Sequence, residues 1–275
     1  MSSLRAELLL LWKYAAYRAL FAITCAVTAL LGYVLPYLSY RGQDATQRKP
    51  SDLADLLPGH VVASTLSAIP FWFGMLALIL GVLMFGGEYS WGTLKTTLMQ
   101  QPNRSRVFAA RLAAMALAVG GTLIVVEALG FGCSALIASI EGASLRAPSA
   151  SDVVRGSASG WFILFVWAMA GAALAVVSRG TALAVGFGIL YALVFEGLVS
   201  AYRRDVGVLN GVAHLFLRTN AFSLVAPLGA KDEGGGPGSF SGPFVEVWQA
   251  ALILALYVVA LATISALIFR RRDVT

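Results

Sequence analysis

The chain has 275 residues, 59% of them hydrophobic and only 12% charged, with a net charge of +6. A soluble domain carries roughly 25% charged residues, so the composition excludes an ordinary soluble globular protein and makes lipid the main solvent. The basic excess gathers at the ends of apolar runs, which suits anionic lipid head groups and speaks against nucleic acid as a partner.

Residues 1–18 read as an amphipathic helix lying on the membrane surface. Leu4, Leu8, Leu11 and Ala15 fall at helical spacing, with Arg5, Lys13 and Arg18 available to the interface. The apolar run Leu8 to Trp12 is too short for a cleavable signal, so the spans themselves are expected to direct insertion. Six spans follow, at about 19–40, 61–86, 112–140, 156–177, 181–201 and 247–269. Each meets the roughly 20 residues that a helix needs to cross a 30 Å hydrocarbon core. Pro70 marks an expected kink in the second. The two cysteines, Cys25 and Cys133, both sit in apolar segments without metal-ligand spacing and read as small buried residues.

An even number of spans places both termini on one side. With the termini and the 88–111 stretch in the cytoplasm, that side holds eleven of the 20 Lys and Arg residues. Arg111 and Arg270–Arg272 directly abut span ends, which strengthens the positive-inside assignment. The long last loop contains an apolar stretch, 209–228, broken in the middle by Arg218, Thr219 and Asn220 and ended by Pro227 and Gly229. Two half-helices of about ten residues cannot each span a bilayer. They fit a re-entrant hairpin or, alternatively, an interfacial pair lying flat. The Gly-rich run near residues 234–238 reads as a flexible external loop.

Several chemistries are absent from the sequence. No Gly-x4-Gly-Lys-Ser/Thr occurs, and none of the four lysines follows a glycine, so no nucleotide cradle of the P-loop kind is present. No His-Glu-x-x-His or Gly-x-Ser-x-Gly occurs. Gly156-Ser-Ala-Ser-Gly160 has the spacing of close helix packing. No catalytic residue, metal ligand or cofactor of its own is assigned to the chain.

The strongest positive signal is the polar stretch 88–111. Gly86 and Gly87 are expected to end the second span with a sharp exit. Trp91, Leu94 and Leu98 then form an apolar stripe on a short helix, closed by Gln100-Gln101-Pro102-Asn103. Arg104, Arg106 and Arg111 lead into the third span at head-group level. A short helix tied at both ends to spans is a handle: whatever grips it moves both spans. The plainer alternative is an interfacial helix that only anchors them.

Glu88-Tyr-Ser-Trp-Gly92-Thr93-Leu94-Lys95, followed by Pro102-Asn-Arg104-Ser-Arg106 and Ala-Ala-Arg-Leu, resembles the loop between the first two core spans of ABC-2 type permeases. About 25 residues carry the resemblance, and the six-span layout extends it over the whole chain. It implies an all-α polytopic membrane protein with an N-terminal interfacial helix, a cytoplasmic coupling helix between helices 2 and 3, and a re-entrant hairpin before helix 6, as one transmembrane domain over 1–275. It further implies an exporter of the bacterial plasma membrane, working as a dimer with a second, identical copy. Two ABC ATPase subunits carry the ATP and Mg. Glu88, Trp91, Gly92, Thr93, Leu94, Lys95, Leu98 and Arg104 are then the ATPase-coupling residues. A second coupling contact is implied at Arg179, in the turn between the fourth and fifth spans.

A carboxylate inside a bilayer is costly and faces protein or water. Glu127 and Glu196 lie at similar expected depth, toward the outer leaflet. They are expected to share a place on the translocation path or to hold the hairpin shut, with Arg203, Arg204 and Arg218 as cationic partners; buried structural carboxyls are the alternative. Phe71, Met75 and Leu78 are expected to present an apolar wall to an amphipathic cargo such as a drug, peptide antibiotic or lipid-like compound. Two other functions stay open: an ion-gradient-driven carrier using Glu127 and Glu196, and a non-transporting membrane anchor or sensor.

Overall fold

The computed structural model describes residues 3–44, 49–91, 104–202, 211–231 and 245–271. The described residues are helical, with no strand among them. Among the described residues, six helices are long and apolar enough to cross a membrane: Ala15–Gly42, Pro58–Gly87, Ser105–Glu141, Ala150–Ser178, Thr181–Val199 and Val247–Ile268. Each lies over one of the apolar runs expected from the sequence. They are called the first to sixth spans below.

The fourth span is the centre. It packs against the second, third, fifth and sixth, and its most apolar stretch is the most deeply buried of the six. Small residues explain this. A Cβ placed on Gly81 would overlap the carbonyl of Ala168, and one on Gly171 would overlap the carbonyl of Leu78. The second and fourth spans therefore touch backbone to backbone, which only glycine permits. At the other end Gly156 and Gly160 make room for the side chains of Val62, Leu66 and Ile69.

Three spans carry one wide turn each, at Leu30–Val34, Ile69–Phe73 and Tyr191–Phe195. The expected kink at Pro70 takes this form: proline offers no N–H, and the extra residue absorbs the missing bond.

The N-terminal helix Ser3–Lys13 ends at Tyr14, so Ala15 begins the first span instead of closing the amphipathic stripe. That helix packs on the start of the third span. Glu7 accepts from Arg111 Nη2 at 3.2 Å, and the guanidinium stands 5.5 Å from the Phe85 ring centre. Arg111 is 3% exposed, so it is a buried tie between helices and not the head-group residue the sequence suggested.

The second span ends at Gly87, but Gly86 and Gly87 make no sharp exit from it. Its helix runs on to Trp91. Gly86 instead lets the turn between the fourth and fifth spans approach, because a Cβ there would stand 3.0 Å from Thr181 and 3.3 Å from both Ala175 and Gly180.

Candidate functional site

Two places bear on function: the end of the second span with the neighbouring turn, and a buried polar cluster around Glu196.

At the first, the backbone of Glu88 and Trp91 completes the helix Gly74–Trp91, and Arg104 opens the helix Arg104–Glu141. Gly92, Thr93, Leu94, Lys95 and Leu98 lie outside the described residues. The turn Ser178-Arg179-Gly180 is tight. Arg179 is exposed and takes a left-handed conformation at φ 57° and ψ 32°, where glycine is the usual occupant. Ser178 Oγ donates to the carbonyls of Leu174, at 2.8 Å, and Gly180, at 3.2 Å. Gly86 of the second span packs beside this turn, near Gly180 and Thr181.

At the second, the short helix Leu217–Val225 is buried along its length despite carrying Arg218, Thr219, Asn220 and Ser223. It packs against the second, fourth and sixth spans. The turn before it lies at residues 214–216, not at Arg218 to Asn220 as expected. The reason is Asn220. Its Nδ2 donates back to the carbonyls of His214, at 2.8 Å, and Phe216, at 2.7 Å, which closes the turn and leaves Arg218, Thr219 and Asn220 in the first helical turn.

No side chain of its own caps this helix. The fifth span supplies the cap. Glu196, fully buried, accepts from the backbone N–H of Arg218 through Oε1 at 3.2 Å, and Tyr191 Oη accepts from the N–H of Leu217 at 3.4 Å. A carboxylate at a helix N-terminus satisfies donors that would otherwise be orphaned and complements the helix dipole. The sixth span adds Tyr257, whose hydroxyl donates to the Leu215 carbonyl at 2.9 Å. The second span adds Phe71, with the Arg218 guanidinium 4.4 Å above its ring centre. Three spans thus converge on one short helix. At its far end Lys231 pairs with Asp55 at 2.6 Å, and its backbone N–H donates to Ser67.

Glu127 belongs elsewhere. Both its carboxyl oxygens accept from Ser157 of the fourth span, at 2.8 and 2.7 Å. The two glutamates have separate partners on separate spans, so the shared place expected for them is corrected. Of the expected wall of Phe71, Met75 and Leu78, two residues have close protein neighbours. Leu78 is 2% exposed and wedged beside Gly171 and Gly188, and Phe71 lies under Arg218. Arg203 and Arg204 lie outside the described residues.

The sequence reading missed the parts played by Tyr191, Tyr257 and Glu7. Tyr191 was legible in principle, since it stands five residues before Glu196 and the wide turn between them brings both to the same helix. Glu7, 104 residues from Arg111, offered no such signal.

The model of the ABC-2 family transporter proteins matches residues 11–274, nearly the whole chain. No curated protein matches it. The chain belongs to the ABC-2 transporter family and is a multi-pass membrane protein, the permease part of an ABC-type transporter.

Proposed function

We propose that this permease is the membrane half of an exporter, driven by ATP hydrolysis on a separate ATPase, that moves an amphipathic or hydrophobic compound out across the plasma membrane. The family match over residues 11–274 carries this reading. A permease of an ABC-type transporter implies an ABC ATPase partner, and the 275 residues hold no Gly-x4-Gly-Lys-Ser/Thr with which to bind ATP themselves. In this account two ATPase subunits, carrying ATP and Mg, serve two identical permease copies, with all termini in the cytoplasm. The N-terminal helix lies in the interface, and the stretch 209–228 forms the re-entrant hairpin.

Energy enters at 88–111. Trp91, Leu94 and Leu98 fill an apolar groove on the ATPase, Gly92 and Thr93 allow close approach, and Glu88, Lys95 and Arg104 meet charged groups around it. Closure of the ATPases on ATP pushes this segment against the membrane. The push passes along the second span. The glycine contacts Gly81–Ala168 and Gly171–Leu78 make the second and fourth spans move as one body. Gly86 hands part of the motion to the turn at Arg179. At the other end the same body bears on Phe71 and Arg218. The helix Leu217–Val225 then shifts away from Glu196 and Tyr191, and the outer end opens.

The first and fifth spans both pack against the second. Both carry exposed apolar faces, including Leu30, Leu31, Phe187 and Leu190. These faces are the proposed meeting surface for the second permease copy.

The energy source is the test. Inverted vesicles containing the permease and its ATPase are supplied with a fluorescent amphiphile in the medium. Uptake that requires ATP and survives an uncoupler supports the reading; uptake that stops with the uncoupler and ignores ATP refutes it.

A further inference from the structure

The first span leans mainly on the third span and meets the N-terminal helix and the second span more lightly. Two cavities lie along this seam. The larger, about 570 Å³, is bounded by the N-terminal helix and the first four spans, through residues such as Leu11, Trp12, Arg18, Leu76 and Leu117. The smaller, about 340 Å³, lies at the other end, beside Asp52, Asp55, His60 and Lys231. Phe73 lines both.

The larger cavity has the chemistry of a hydrocarbon slot. Its volume falls within the roughly 300–1,000 Å³ usual for ligand sites. Two of its hydroxyls are already committed: Thr24 donates to the Leu20 carbonyl and Thr122 to the Ala118 carbonyl. Little remains to hydrogen-bond a sugar or a peptide. Its lining from Leu117 to Val126 corresponds to about 14 Å of helix, close to half of a ~30 Å hydrocarbon core. Arg18 is the one charged residue in its described lining, four residues into the first span and next to the N-terminal helix. The slot therefore has a cationic residue at the end beside the N-terminal helix and an apolar lining along the rest of its length.

We infer that this cavity binds a single-chain anionic amphiphile drawn from the leaflet beside the N-terminal helix, with its head group on Arg18 and its chain running to Phe73. The Phe73 ring separates this molecule from the outer cavity. The binding site is a property of this chain alone; that such a molecule is also the cargo rests on the exporter reading.

The test uses the purified full chain in phosphatidylcholine nanodiscs, without ATPase or nucleotide. Native mass spectrometry counts bound palmitoyl lysophosphatidylglycerol, with palmitoyl lysophosphatidylcholine as the control. One molecule of the anionic lipid per chain is expected, in preference to the control. Arg18→Gln should weaken it about fivefold, the weight of one basic side chain against an anionic head group, and leave the control unchanged. Ala118→Phe and Gly121→Phe, each adding a ring to the slot, should abolish binding of both lipids in protein that remains monodisperse. Unchanged binding in both ring-filled variants would overturn the site. Equal binding of the two lipids, unaffected by Arg18→Gln, would overturn the anionic head group. Failure of ATP-dependent transport with binding intact would count against the exporter reading alone.

Discussion

Replacing Glu196 by leucine removes the buried carboxyl that accepts from the Arg218 N–H at the start of the helix Leu217–Val225. A hydrogen bond to a charged group is worth about 1.5–3 kcal/mol. Leaving a buried donor unsatisfied costs about 1–3 kcal/mol. The two figures overlap in what they count, so the expected loss for Glu196→Leu is about 2–3 kcal/mol. Glu196→Gln keeps an oxygen for the Arg218 N–H and loses only the charge, so about 1–2 kcal/mol is expected. Steric trapping in a bilayer measures both. Hydrogen exchange adds a local readout, because residues 217–225 should exchange faster in the leucine variant while the core of the fourth span does not. A leucine variant within about 0.5 kcal/mol of the wild type, with unchanged exchange, would refute the cap.

Three other outcomes follow from the same geometry. Gly171→Val drives a side chain into the Leu78 carbonyl and should cost about 3 kcal/mol or more, seen as loss of monodisperse protein on mild heating; a tolerated valine would contradict the backbone contact. Arg179→Gly relieves a left-handed residue and should stabilise the protein by up to about 1 kcal/mol, read in the same heating assay. Lys231→Ala breaks an exposed ion pair and should change stability by less than about 1 kcal/mol, so a larger loss would mean that the tie at Asp55 holds more of the fold than its exposure implies.

The six spans were legible because hydropathy over about 20 residues is a strong signal in lipid. The close packing at Gly156 and Gly160 was legible as spacing, and Pro70 marked the irregular turn of the second span. Geometry across the chain was not legible. Nothing local to Arg111 says that Glu7 covers it, and a basic residue before a span reads equally well as a head-group contact. Gly86 was read as an exit because glycine ends many helices, whereas here it admits a neighbouring turn. Arg218 to Asn220 looked like a break because three polar residues interrupt an apolar run. A buried helix accepts Arg218 when a carboxyl takes its N–H and an aromatic ring covers its guanidinium, and Asn220 when the preceding turn takes its amide. The two glutamates had equal expected depth, but depth does not fix the direction a side chain takes around a helix. Glu127 points to Ser157 and Glu196 to the short helix.

The central claim is that force enters through the segment between the second and third spans. Tagged permease, wild type and Leu94→Asp, is expressed with its ATPase and isolated in mild detergent, and the ATPase activity that comes with it is measured. The account predicts ATPase activity with the wild type and its loss, by about tenfold or more, with the aspartate variant at equal permease yield. Equal activity recovered with both proteins would contradict it.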